Sequence, residues 1–137
     1  MFFYVDFIVF PIIIKINWGN AMKTLLVVED EKNLRLLYQQ DLADEGYHVI
    51  TAENGIQALE KIKNNKIHLA ILDIKMNGMN GVETLKKIME IDKNIKVILN
   101  TAYSTFKSDF STWSADAYLI KTSNLDELKL KVKQLLQ

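Results

Sequence analysis

The apolar run Leu69-Ala70-Ile71-Leu72 ends on Asp73 and opens into Ile74-Lys75-Met76-Asn77-Gly78-Met79-Asn80-Gly81. A run so short, free of polar residues and bounded by turn formers, reads as a parallel strand buried on both faces. It delivers one carboxylate to its C-terminal end, just ahead of a glycine-bearing loop, and that edge is where open α/β sheets carry their sites. A second run, Thr24-Leu25-Leu26-Val27-Val28, ends in the same manner on Glu29-Asp30-Glu31. Two strands therefore aim acidic side chains at one edge.

Acids brought so close repel. Two carboxylates about 4 Å apart cost about 4 kcal/mol at an effective dielectric of about 20, so a crevice holding three needs protons or a divalent cation. The chain has no cysteine, and its two histidines, His48 and His68, stand apart from any second ligand. An all-oxygen set of this kind points to Mg²⁺ or Mn²⁺ rather than zinc. Taken alone, Glu29-Asp30-Glu31 reads equally well as the cap of a following helix. The two clusters together favour the cation.

The remaining sequence alternates strand and helix periods. Leu34, Leu37, Tyr38 and Leu42 form an amphipathic stripe closed by Gly46, and Tyr47 to Ala52 reads as a second strand. Asn54-Gly55 opens a helix carrying Ile56, Leu59 and Ile62, and Val82, Leu85, Ile88 and Met89 stripe a third helix. Lys96-Val97-Ile98-Leu99-Asn100 is a fourth strand. Ser104-Thr105 can cap a fourth helix with Phe106, Phe110 and Trp113 on one face, in a segment whose Ser and Thr content is poor helix material. Ser123 or Asn124 can cap a last helix striped by Leu125, Leu128, Val132 and Leu135. Such alternation requires right-handed crossovers and a parallel sheet covered on both faces.

Four stretches, in order, carry a family resemblance. Val27-Val28-Glu29-Asp30-Glu31 matches an acidic pocket, and Leu72-Asp73 through Gly81 matches a phosphoacceptor loop. Asn100-Thr101-Ala102 matches the hydroxyl-bearing end of a fourth strand, and Tyr118-Leu119-Ile120-Lys121 a fifth strand with its switch aromatic and lysine. From about Met22 to the C-terminus the chain resembles the receiver domain of two-component response regulators. The resemblance implies a flavodoxin-like (βα)5 fold with a doubly wound parallel five-stranded sheet.

The resemblance also assigns roles. It makes Asp73 the phosphoacceptor, with Mg²⁺ (or Mn²⁺) held by Asp30, by Glu29 through water, by Asp73 and by the Lys75 backbone carbonyl. Thr101 is to hydrogen-bond the phosphoryl group, Lys121 to pair with its charge, and Tyr118 to rotate inward as the switch. Such a domain is no enzyme beyond catalysing its own phosphorylation and dephosphorylation. It implies a histidine kinase or histidine phosphotransfer protein as donor, a downstream protein target and a cytoplasmic location. Asp73-Ile74-Lys75-Met76, Ile91-Asp92 and Thr101-Ala102-Tyr103 are most similar to the stand-alone receivers of the sporulation phosphorelay. A chemotaxis-type receiver that binds a protein without relay is the alternative. The chain stops where a receiver stops, so no output domain is expected.

Three positions depart from the family pattern. Asn77 and Thr122 stand where proline is usual, and Ser114 where glycine is common. The usual proline after the lysine follows a cis bond, which costs about 3–4 kcal/mol before any other residue, so the Lys121-Thr122 bond is either strained or trans. Two rival classes fit less well. An aspartyl-phosphate hydrolase wants a second acid two residues after its nucleophile, where this chain has Lys75, and a flavin carrier wants a phosphate-cradling loop where it has Glu29-Asp30-Glu31.

Lysine plus arginine and aspartate plus glutamate both number 17, so no nucleic-acid footprint is expected. Residues 1–21 differ in kind: the stretch from Met1 to Ile14 is strongly apolar but broken by Asp6 and Pro11. It is too short and interrupted for a membrane span and lacks the features of a secretory signal. We read 22–137 as the receiver and 1–21 as a mis-assigned upstream extension, ahead of a membrane-associating tail or an extra packed element.

Overall fold

The computed structural model describes residues 4–9, 12–17, 22–104 and 114–137. Two N-terminal strands, β1 (Tyr4–Val9) and β2 (Ile12–Asn17), pair antiparallel, with Tyr4 opposite Asn17 and Val9 opposite Ile12. The sequence reading assigned no strands here. Runs rich in Val, Ile and aromatics suit paired extended backbone, and these two form a sheet of their own.

The second sheet holds β3 (Thr24–Val28), β4 (His48–Ala52), β5 (Leu69–Leu72), β6 (Lys96–Thr101) and β7 (Ala117–Ile120), all parallel, in the order β4-β3-β5-β6-β7. From β3 the chain first moves outward to β4, then returns to β5 and continues the other way. The order therefore reverses between β3 and β5, which creates a crevice at their C-terminal ends. This is the flavodoxin-like, doubly wound arrangement expected from the sequence.

Period-two alternation divides the core between the faces of the sheet. Leu26, Val28, Ala70, Leu72, Val97 and Leu99 face Ala58, Ile62, Leu85 and Ile88 of helices α2 (Gly55–Asn64) and α3 (Gly81–Ile91). Leu25, Val27, Leu69, Ile71 and Ile98 face Tyr38 and Leu42 of α1 (Lys32–Asp44), with Leu128 and Val132 of α4 (Asp126–Leu135). Gly46 follows α1 at φ +96°, the left-handed conformation that ends a helix at little cost for glycine.

Some details differ from the sequence reading. Leu37 and Ile56, assigned to buried stripes, are 40% and 64% exposed. Each helix lies on the sheet along a narrow line, Tyr38 and Leu42 in α1, Ala58 and Ile62 in α2, and Ile56 lies on the far side of that line. Leu125, not Ser123 or Asn124, occupies the N-cap of α4 and makes no side-chain cap bond; Asn124 instead accepts the Asp126 N–H at 2.8 Å. The helix expected around Phe106, Phe110 and Trp113 lies outside the described residues.

Ser114 adopts φ +64°, a left-handed conformation that a Cβ disfavours and glycine does not. Ser114→Gly is therefore expected to raise stability by up to about 1 kcal/mol, the relief of that strain exceeding the added chain entropy. A urea midpoint at or below that of the parent would contradict it.

Candidate functional site

Three strands of the second sheet end on charged residues at one edge. Glu29 and Asp30 follow β3, Asp73 follows β5, and Lys121 follows β7. One carboxylate oxygen from each of Glu29, Asp30 and Asp73 lies within 4.8 Å of the others. The acidic run divides its work: Glu31 is the α1 N-cap, accepting the N–H groups of Asn33 and Leu34 at 3.2 and 3.3 Å. Both readings of Glu29-Asp30-Glu31 thus have a place, cap at one end and cluster at the other.

Lys121 holds the cluster together. Its Nζ donates to Glu29 Oε1 at 2.8 Å and to Asp73 Oδ2 at 2.9 Å. Glu29 is 2% exposed and Asp73 8%, so neither relies on bulk water to offset the other's charge. Burial pushes the Glu29 carboxyl up to about 7, against the pull of Lys121 and with a further push from the Asp73 charge. Burial also opposes the Lys121 ammonium, but its hydrogen bonds to Glu29 and Asp73 outweigh it and hold that pKa above the ordinary lysine value. The Lys121-Thr122 bond is trans, and with threonine at 122 the lysine reaches both acids.

Thr101, at the end of β6, is fully buried, and its Oγ1 accepts the Tyr103 N–H at 3.3 Å. Tyr118 of β7 is buried, 7% exposed, and its hydroxyl donates to the Tyr103 carbonyl. The Lys75 Nζ stands 4.7 Å from the centre of the Tyr103 ring, a cation–π contact. Tyr103 thereby links Thr101, Tyr118 and Lys75.

Sequence reasoning missed two contributors. Arg35, on the first turn of α1, donates through NH1 to the Glu29 carbonyl at 2.8 Å and the Asp30 carbonyl at 3.4 Å, and pairs with Glu53 at 3.4 Å. An arginine just past the N-cap was its only signal. The Asn77 N–H reaches Asp30 Oδ2 at 3.4 Å. A proline there would lack that donor.

The Asp73 loop is also held from behind. Gly81 opens α3 against it, with Gly81 N–H donating to the Ile74 carbonyl at 2.8 Å. A Cβ on Gly81 would overlap the Asp73 carbonyl oxygen and lie 2.8 Å from Ile74 Cα. Only a residue without a side chain lets the helix approach so closely. An all-oxygen cluster of three acids, open on the Asp30 side and closed by an ammonium, suits a hard divalent cation such as Mg²⁺.

The sequence pattern of the response regulator receiver domain matches residues 25–133. The chain is 35% identical to sporulation initiation phosphotransferase F of Bacillus subtilis over 114 residues, which are 82% of this chain and 92% of that protein. It is 38% identical to the transcriptional regulatory protein ZraR of Klebsiella oxytoca over 82% of its own length, but spans only 26% of that regulator. Among solved structures, the response regulator TrrA of Thermotoga maritima in complex with Mg²⁺-BeF is 50% identical, with a TM-score of 0.79 over 83% of this chain and 99% of that one. A structure of TrrA with histidine kinase ThkA matches with a TM-score of 0.78 at 50% identity, covering 85% of this chain and 100% of that one.

The raised Glu29 pKa fixes the sign of a pH effect. The folded chain binds this proton more tightly than the unfolded chain, so the contribution is fully present below about 4.5 and lost as pH rises through about 7. His68, lowered chiefly by burial, acts in the opposite sense, its contribution being lost as pH falls through the ordinary histidine range. Urea unfolding in chelator, compared between the parent and Glu29→Gln, cancels the His68 contribution. The parent is expected to lose stability relative to the variant across that window; parallel pH profiles would contradict the assignment.

Proposed function

This chain belongs to the response regulator receiver domain family, and from that premise we propose that it accepts a phosphoryl group on Asp73 from a phosphohistidine. The observation that carries the reading is the Lys121 ammonium, 2.9 Å from Asp73 Oδ2 and 2.8 Å from Glu29, beside three acids whose oxygens lie within 4.8 Å. An Asp73 carboxylate oxygen attacks phosphorus as the P–N bond to the donor imidazole breaks. The product is an acyl phosphate, and the leaving nitrogen takes a proton from solvent. Lys121, already on Asp73, meets the incoming phosphoryl charge, and the Thr101 hydroxyl donates to a phosphoryl oxygen.

Asp30, Asp73, the Lys75 carbonyl and, through water, Glu29 would hold Mg²⁺. The ion, when bound, neutralises the charge gathering on the phosphoryl oxygens. The chain's own residues fix the geometry around it: Arg35 steadies the Glu29 and Asp30 carbonyls, and Gly81 lets α3 brace the Asp73 loop. Tyr118 serves as the switch, its hydroxyl tied to the Tyr103 carbonyl two residues past Thr101.

The donor class is a histidine kinase or histidine phosphotransfer protein, supported by the likeness to TrrA, which has been crystallised with histidine kinase ThkA. The relay reading, in which Asp73 passes the group to a downstream histidine, is supported by likeness to sporulation initiation phosphotransferase F over 92% of that protein. A cytoplasmic location is part of the proposal, and no described helix is long and apolar enough to cross a membrane. The receiver unit in this reading is residues 22–137.

Asp73→Asn keeps the shape but removes the nucleophile. Treatment with a small acyl phosphate donor and Mg²⁺ is expected to add one acid-stable, base-labile phosphoryl group to the parent and none to the variant, by mass spectrometry. Equal incorporation would show the acceptor to be elsewhere.

A relay protein must hold its phosphoryl group long enough to pass it on. The Lys75 Nζ stands 4.7 Å from the centre of the Tyr103 ring, and we place this pair beside the path of an attacking water. Replacing both with alanine is expected to speed loss of the phosphoryl group about tenfold, a barrier change of about 1.4 kcal/mol. An unchanged decay rate would remove this pair from the account.

A further inference from the structure

At the end of the sheet opposite Asp73, β3, β5 and β6 begin around a groove of about 260 Å³ walled by Lys23, Lys66, His68, Lys96, Leu135 and Leu136. The backbone fixes this wall. His68 N–H donates to the Thr24 carbonyl at 2.9 Å and Lys96 N–H to the His68 carbonyl at 3.1 Å, so the three strand starts lie side by side. Among the described residues, no ion pair engages Lys23, Lys66 or Lys96. The carboxylate in the wall, Asp92, accepts the Asn94 N–H at 2.9 Å and closes its own turn. Three lysines and one aspartate thus line the groove.

The imidazole is oriented as well as surrounded. His68 Nδ1 accepts the Thr24 N–H at 3.0 Å, which leaves the neutral ring's proton on Nε2 as a donor. Burial first, then the charges of Lys23 and Lys66, hold the His68 pKa below the ordinary value. The positive field of those lysines converges on the ring. Like charges around one groove repel, and an anion between them turns repulsion into attraction, strengthened by the apolar wall of Leu135 and Leu136.

We propose that this groove binds a small phosphate-bearing anion, gripped by the ammonium groups of Lys23, Lys66 and Lys96 and by the Nε2–H of His68. A phosphate offers more charge and more acceptor oxygens than a monocarboxylate, which suits several separate donors, and lysine serves phosphate as a point charge. The groove is smaller than sites for drug-sized ligands, generally about 300 Å³ or more, so orthophosphate or a small phosphate ester fits better than a dinucleotide. Such an anion would tie the starts of β3, β5 and β6 to the end of α4 and stabilise the folded chain by mass action.

The test uses the whole chain in chelator, with inorganic phosphate as probe and ionic strength held constant with chloride. Residue-resolved NMR is expected to show saturable shifts at Lys23, Lys66, His68 and Lys96. The His68 ring is expected to titrate at higher pH when phosphate is present, because an anion offsets its cationic neighbours. Lys66→Ala with Lys96→Ala should weaken binding about tenfold or more, and arginine at both positions should retain it. Phosphorylation of Asp73 by a small donor should be unchanged in either variant. Drift that never saturates, a His68 midpoint indifferent to phosphate, or an equal response in the alanine variant overturns the proposal.

Discussion

The ammonium of Lys121 is what allows Glu29 and Asp73 to be buried side by side. Removing one partner from a buried charge set generally costs about 3–5 kcal/mol, because the charge left behind is uncompensated. The sheet order makes this demand hard to meet. Lys121 follows the edge strand β7, while Glu29 and Asp73 follow β3 and β5, so the side chain must cross the end of β6. Lysine's long flexible stem makes that reach possible. The residues at the end of β6, Thr101 and Ala102, are small.

A second set of contacts gathers on Tyr103. Its N–H donates to Thr101, its carbonyl accepts from Tyr118, and its ring lies under Lys75. Three groups from β6, β7 and the Asp73 loop therefore meet at a residue whose side chain is nearly half exposed. A rotation of the Thr101 hydroxyl would break its bond to the Tyr103 N–H and free that backbone donor. The internal chemistry and the outer surface are separated by one residue.

Strand positions were legible in the sequence because parallel strands buried on both faces must be apolar throughout, as in Leu69-Ala70-Ile71-Leu72 and Leu25-Leu26-Val27-Val28. The acids at their ends stood out against those runs. Helix faces were less legible: Leu37 and Ile56 satisfy an apolar pattern, yet the sheet covers only a narrow line of each helix, and leucine or isoleucine on a surface breaks no rule. Arg35 and the Asn77 N–H escaped notice because one acts on backbone carbonyls and the other is itself backbone, and neither contact leaves a pattern of residue types. The β1-β2 pair was missed for a related reason. An apolar stretch interrupted by Asp6 and Pro11 argues against a spanning helix without announcing two strands.

The contact between Gly81 and the carbonyl of Asp73 has a consequence for how this domain can be dissected and how it can diverge. It is a joint made of main chain on both sides, so truncating side chains, as in an alanine scan, leaves it intact, and only adding an atom disturbs it. Residues on the outer face of α3 can change one by one while the joint behind it keeps the same geometry. Mechanical continuity between the acidic edge and that helix then depends on the absence of a methyl group, a constraint that no inventory of interacting side chains would record.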